Sequence, residues 1–305
     1  MRYLGTRILS MIPVGLAITL VVFLILRLAP GDPVLLLAGP RPTPELIERI
    51  ERKWGFDRPL HEQFFRYVSH LIRGDLGYSV MQRRPVTELI ALSLPVTLEL
   101  GLAGIGLAIA IGIPAGVVSA VRSGSWVDQL AMFASIAGIS IPGFWLGLML
   151  IYAFAVRLKW LPSSGYGTLQ HLVLPAVALG TSSAALLSRV MRSSMLDVIR
   201  RDYIRTARAK GLAERVVIYK HALKNAMLPV VTILGLNLGY MLAGSVVLEN
   251  VFARPGMGRL LINGILQRDY PVVQGMLLML ALSVMLANLL ADITYVFLDP
   301  KIRFD

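Results

Sequence analysis

The sequence predicts an all-α integral membrane protein with six transmembrane helices and both termini cytoplasmic. A small helical extracytoplasmic domain is expected between helices 1 and 2, and a cytoplasmic helical hairpin between helices 4 and 5. Three observations carry that prediction. The 305 residues are 56% hydrophobic and only 16% charged, which excludes a disordered chain and argues against an ordinary soluble domain. Six runs stay mostly apolar over about 20 residues, the length that crosses a bilayer core. Basic residues collect in one set of connecting segments, as they do in cytoplasmic loops.

The first run, 8–28, follows Arg2 and Arg7. It is nearer a full span than the apolar core of a secretory leader, and Pro30-Gly31-Asp32-Pro33 follows it instead of a small-x-small cleavage site. It reads as an uncleaved first membrane helix. The other runs are 98–121, 130–156, 172–190, 226–248 and 272–298. Thr181, Ser182, Ser183 and Ser188 dilute the fourth, but small hydroxyl residues are ordinary at helix contacts in lipid. Gly101, Gly104, Gly106, Gly112 and Gly116 predict closely packed helices. Pro95, Pro114, Pro142 and Pro175 are expected at helix ends or kinks, with a kinked helix lining a pathway as the alternative.

Between the first two spans, Thr43-Pro44-Glu45 opens a helix with an N-cap, proline at the first position and an acid in the first turn. Leu46, Ile47, Ile50 and Trp54 share one face of it, and Gly55 stops it. A second amphipathic piece starts at Pro59, shows Leu60, Phe64, Val68 and Leu71 at helical spacing, and ends near Gly74. A third, 86–90, leads into the next span. This segment is either a lid on the helix ends or a docking face for an external partner.

Charge sets the orientation. The segment 192–225 carries Arg192, Arg200, Arg201, Arg205, Arg208, Lys210, Arg215, Lys220 and Lys224. The short loops on the opposite side carry Arg157 and Lys159, then Arg254, Arg259 and Arg268. The hairpin and both termini are therefore expected in the cytoplasm, whereas a loop as long as 30–97 translocates largely regardless of charge. The expected division is 1–29 as the first helix, 30–97 as the extracytoplasmic domain, 98–298 as a five-helix core that includes the loop 192–225, and 299–305 as a cytoplasmic tail. Inside the loop, a helix-prone piece at 203–210, then Gly211, then a second at 214–226, form a hairpin suited to touching another protein.

Chemical equipment is sparse. The formal charge of +12 belongs to membrane loops once the spans are counted, so no nucleic-acid partner is expected. There is no cysteine, hence no disulfide, thiolate nucleophile or cysteine metal site. His61, His70, His171 and His221 lie in loops without acids at metal-binding spacing, and neither Gly-x-x-x-x-Gly-Lys-Ser/Thr nor Gly-x-Ser-x-Gly occurs. No catalytic residue, cofactor or metal is expected on this chain. Within the spans Glu99, Arg189 and Asp292 are ionisable, all near helix ends. Asn288, Asp292 and Tyr295 fall at i, i+4 and i+7, a polar face that either pairs within the bundle or lines a pathway. With Asn237 they are the pathway candidates.

The residues of the hairpin carry a family resemblance. Tyr203-Ile-Arg-Thr-Ala-Arg-Ala-Lys-Gly211 resembles the cytoplasmic loop signature of ATP-binding-cassette (ABC) importer permeases, which reads Glu-Ala-Ala, three residues, then Gly. Arg205 and Thr206 stand where that pattern has Glu and Ala, Ala207 matches, and Leu228-Pro229 lies further from Gly211 than the general spacing. The form found here, with His221-Ala-Leu-Lys-Asn-Ala-Met-Leu-Pro229, is similar to the dipeptide/oligopeptide (peptide, nickel and glutathione) subgroup, first-permease type. So are Leu28-Ala-Pro-Gly-Asp-Pro-Val34, Gly74-Asp-Leu-Gly-Tyr-Ser79, Glu249-Asn-Val-Phe-Ala-Arg-Pro-Gly-Met-Gly258, Arg268-Asp-Tyr-Pro271 and Asp299-Pro-Lys-Ile-Arg303.

The resemblance implies a multi-pass permease of the bacterial inner membrane for dipeptides or short peptides. It implies a second similar permease, two cytoplasmic ATPases holding ATP and Mg, and an extracytoplasmic binding protein. Arg205, Thr206, Ala207, Arg208, Ala209, Lys210, Gly211 and Leu212 become the expected ATPase-coupling loop. Ala207 and Ala209 offer a low surface, and Arg205, Arg208 and Lys210 can pair with a partner's acids or with anionic membrane lipid. Glutathione or nickel import is the alternative within the subgroup, and an ion-coupled secondary carrier the alternative from another class.

Overall fold

The computed structural model describes residues 2–28, 42–55 and 57–298. The Pro30–Pro33 motif, the Asp299–Arg303 motif and the tail lie outside the described residues, as do the side chains of Leu46, Ile50 and Trp54. Regular structure among the described residues is helical, apart from one isolated antiparallel bridge between Tyr78 and Pro85. The helices are α1 (Arg2–Leu28), α2 (Pro44–Trp54), α3 (Leu60–Ile72), α4 (Val86–Val121), α5 (Trp126–Ser140), α6 (Gly143–Leu150), α7 (Gln170–Ile199), α8 (Asp202–Ala209), α9 (Glu214–Val216), α10 (Leu223–Val251), α11 (Met257–Leu266) and α12 (Tyr270–Leu298). π-helical turns continue α6 through Ile151–Arg157 and join α9 to α10 through Val217–Ala222.

Among the described residues, Val86–Val121, Gln170–Ile199 and Tyr270–Leu290 are long and apolar enough to cross a membrane. The third expected span is not one straight helix. Trp126–Ser140 and Gly143–Arg157 meet at 102°. Pro142 is the cause: it lacks an N–H to continue the ladder and forces Ile141 to the extended backbone seen at φ −82, ψ 121. By contrast, Pro175 stays inside α7.

The chain forms two compact units, one comprising residues 1–4, 97–254 and 284–305, the other 5–96 and 255–283. In the first, α7 is the central helix and packs against α5, α6 and α10. Its seam with α4 is made of small residues. A Cβ on Gly112 would lie 2.6 Å from the Ala184 carbonyl oxygen, and one on Gly116 2.5 Å from that of Ser188. From the other side, a Cβ on Gly180 would lie 2.7 Å from the Gly104 carbonyl oxygen. Small residues four apart on both helices thus let backbone meet backbone, the packing that lipid favours because side-chain burial alone gives little there.

The second unit is built around Val86, Leu89 and Ile90 of α4, Met257 and Leu261 of α11, and Val272, Val273 and Met276 of α12. The helix opened by Thr43-Pro44-Glu45 is α2, and Gly55 ends it at φ +70. Phe23 of α1 packs edge-on to Phe64 and stacked on Tyr67 of α3. The loop after α3 is pinned where Asp269 accepts hydrogen bonds from Ser79 Oγ at 2.5 Å and from the Met81 N–H at 3.3 Å.

Candidate coupling surface

The hairpin follows α7 directly. Asp202 puts an acid in the first turn of α8, where the helix dipole favours negative charge. Ile204 and Ala207, three residues apart, share the buried face at 0% and 8% exposure. They belong to one core cluster with Leu187, Met191 and Met195 of α7 and with Val217 and Ile218. Asn225 Nδ2 of α10 donates to the Tyr203 hydroxyl at 2.8 Å, a polar tie on the same hairpin. Arg205, Thr206, Arg208, Ala209, Lys210, Gly211 and Leu212 remain exposed. Ala207 is therefore an anchor to its own chain and not a low surface for a partner. Its register with Ile204 turns it inward.

The turn after α8 is closed by its own backbone. The Gly211 N–H donates to the Arg208 carbonyl at 2.9 Å, and the Leu212 N–H to the Ala207 carbonyl at 3.4 Å. That pair of bonds, with glycine at φ +73, is the Schellman termination. A Cβ on Gly211 would meet nothing within 4 Å, so glycine is required by backbone conformation and not by crowding. Across the turn Arg208 donates from Nη2 and Nε to Glu214 Oε1 and Oε2 at 2.6 and 3.1 Å. Those bonds hold the Glu214 carboxyl below the usual carboxylate range and raise the Arg208 guanidinium. Arg208 was expected to pair with a partner's acid or to sit against anionic lipid; here Glu214 of its own chain holds it.

A buried network lies beside the hairpin. Asp128 of α5, 4% exposed, accepts both Nε and Nη2 of Arg192 from α7 at 2.6 and 2.7 Å. It also accepts the Ser119 hydroxyl from α4 and the Gly124 N–H at 2.9 Å. Ser125 caps α5 by accepting the Asp128 N–H. Three helix ends are thus bound through one carboxylate. Sequence reading placed Arg192 among the hairpin's cations and passed over Asp128. The Ser125-x-x-Asp128 pattern, a helix-start signature, was the available signal.

At the opposite ends of α7 and α10, Arg254 is 1% exposed. Its Nη2 donates to Glu99 Oε2 at 2.8 Å and its Nη1 to the His171 carbonyl at 3.3 Å, and its guanidinium lies over the Tyr166 ring. Glu249, fully buried, accepts the Thr97 hydroxyl at 2.6 Å and gives its carbonyl to the Arg254 N–H at 2.8 Å. The Glu249–Gly258 motif is therefore an ion-paired corner. Of the pathway candidates, Asn237 is half-buried, its Nδ2 without a hydrogen-bond partner among the described residues, and Asn288 is exposed. The side chains of Asp292 and Tyr295 lie outside the described residues.

Residues 112–304 match the family described as the binding-protein-dependent transport system inner membrane component, and residues 1–101 match its N-terminal membrane component. The chain belongs to that family. It is a multi-pass permease of the bacterial inner membrane, of the ABC importer class. It is 43% identical over 304 residues to the glutathione transport system permease protein GsiC of Escherichia coli K12, covering 100% of this chain and 99% of the relative. It is 44% identical to that of Salmonella paratyphi A over the same shares. The fold resembles the inward-facing MetNI methionine ABC transporter, with a TM-score of 0.59 at 22% identity over 69% of this permease and 96% of that chain. An amino acid ABC transporter with histidines gives 0.55 at 16% identity, over 68% and 94%. Membership in a binding-protein-dependent family leaves the secondary-carrier alternative unsupported.

Proposed function

We propose that this permease pairs with a second, homologous permease to form the passage for short peptides delivered by an extracytoplasmic binding protein. Two cytoplasmic ATPases, holding ATP and Mg, drive it through α8. The observation that carries the proposal is the Schellman-closed hairpin, which offers Arg205, Thr206, Arg208 and Ala209 on a short helix seated against α7 and Lys210 to Leu212 on the turn that closes it. A stiff, capped helix transmits a push that a loose loop would absorb. Glutathione is the first substrate to test, because the relatives at 43–44% identity bear that name and glutathione is itself a tripeptide. Dipeptides are the second; no observation favours nickel.

Two measurements test this reading. The chain has no cysteine, so Ala209→Cys supplies a single thiol for cross-linking to cysteines on the ATPase surface in the assembled complex. Cross-links in the Arg205–Leu212 stretch are expected, and their absence at every position there overturns the coupling assignment. Uptake of glutathione and dialanine into proteoliposomes is expected to need ATP and the binding protein. Uptake that continues without the ATPases but collapses with the proton gradient overturns the importer reading.

A further inference from the structure

The second unit contains a cavity of about 530 Å³, within the range of small-molecule sites. It is walled by Arg27 of α1, the segment before α3, α3 itself, the loop that follows it, and the loop into the start of α12, and all its lining residues belong to this unit. Its floor is apolar where Leu76, Val80 and Pro271 line it. Its polar lining includes four arginines, Arg27, Arg58, Arg66 and Arg268, and two acids, Asp75 and Asp269, together with Tyr67 and His70. Arg66 and Arg268 line it as cations without an ion pair among the described residues, and Arg268 is held there on a left-handed backbone, φ +52. Asp269 and Tyr67 line it as well. Asp269 Oδ1 and the Tyr67 hydroxyl are buried without a hydrogen-bond partner among the described residues.

Buried polar atoms without partners are rare, and each leaves desolvation uncompensated. The other acid of the cavity is already served: the Gly77 N–H and His70 hold the Asp75 carboxyl below the usual range. Burial pushes the Tyr67 phenol up to about 12, so it is a neutral hydroxyl, able to donate. Guanidinium pairs recognise carboxylates, an acid with a free oxygen recognises an ammonium, and a neutral phenol bonds a carbonyl or amide.

We infer that this cavity is a binding site for a small zwitterion of the short-peptide class, its carboxylate at Arg66 and Arg268 and its ammonium at Asp269. The ligand class is read from these walls. It coincides with the substrate class proposed above, but the site lies outside the coupling hairpin and stands or falls separately.

The assembled importer in lipid nanodiscs, without binding protein or ATP, is the system for the test. Gln274 lines the cavity, and Gln274→Cys gives this chain its only thiol. Trialanine at millimolar concentration is expected to slow maleimide labelling of that thiol. Trialanine amide and N-acetyl-trialanine, which each lack one charge, should require about tenfold more for equal protection. Arg66→Gln with Arg268→Asn should raise the half-protecting trialanine concentration about tenfold, asparagine being chosen because it tolerates positive φ. Asp269→Asn should weaken trialanine but leave N-acetyl-trialanine unchanged. Absence of protection by trialanine, or equal protection by the amide, overturns the inference, and either result is read on a chain whose lining charges are intact. Failed peptide uptake with protection retained overturns the transport reading instead.

Discussion

Arg192 and Asp128 meet in a two-pronged pair, Nε to Oδ1 at 2.6 Å and Nη2 to Oδ2 at 2.7 Å, although 64 positions separate them. Removing one partner strands the other. Arg192→Ala leaves a buried carboxylate and is expected to cost about 3–5 kcal/mol, whereas Asp128→Asn with Arg192→Met should cost clearly less. Thermal unfolding of the purified permease in detergent, run as a double-mutant cycle, measures both. A double variant as unstable as Arg192→Ala would show that the charge pair is not what ties these helix ends.

Gly211 sits in open space at positive φ, which ranks its replacements in advance. Gly211→Asn should be mildest, Gly211→Ala should cost about 1 kcal/mol, and Gly211→Val should be worst. All three should insert normally, and ATP-driven uptake should fall in that order, to near zero for valine. Normal uptake by Gly211→Val would overturn the role given to the turn.

The Arg208–Glu214 bridge carries a pH signature. Because the folded carboxyl titrates below its unfolded value, its contribution is complete above the ordinary glutamate range and disappears as pH falls through the folded value. Both side chains are partly exposed, so the effect is small. At neutral pH, Glu214→Gln should quicken amide exchange at Gly211 and Leu212 by about two- to fivefold, and the gap from wild type should close in acid. A gap that persists in acid would deny the bridge its part in the turn.

The α4–α7 seam separates one glycine sharply from another. Gly116→Ala drives a methyl against the Ser188 carbonyl and should cost about 1–3 kcal/mol, while Gly106→Ala meets nothing within 4 Å and should be neutral or slightly stabilising. The two melting midpoints in the same detergent decide the matter.

Where a pattern is local, the sequence disclosed it. Gly55, Gly74 and Gly211 end helices at positive φ, and Pro44 opens one. Gly112 and Gly116 were legible as packing residues, but not their neighbours across the seam, since no chain-local signal pairs Gly116 with Ser188. Pro142 was legible as a helix end or kink, but hydropathy, which is blind to direction, reads 130–156 as one span and not as two helices that meet at 102°. The buried ions were hidden for a related reason. Asp128 and Arg254 look like ordinary loop charges until partners from distant helices arrive. In the hairpin, the motif found the right stretch, but only packing reveals that Ala207 faces in and that Arg208 is already occupied.

The glycine seam also determines what a load on α8 would move. Ile204 and Ala207 bear on α7 through closely fitted side chains, and α7 bears on α4 through backbone oxygens that leave no slack. The two helices are packed to move as one, so a force applied to the exposed face of the hairpin would be carried by both together.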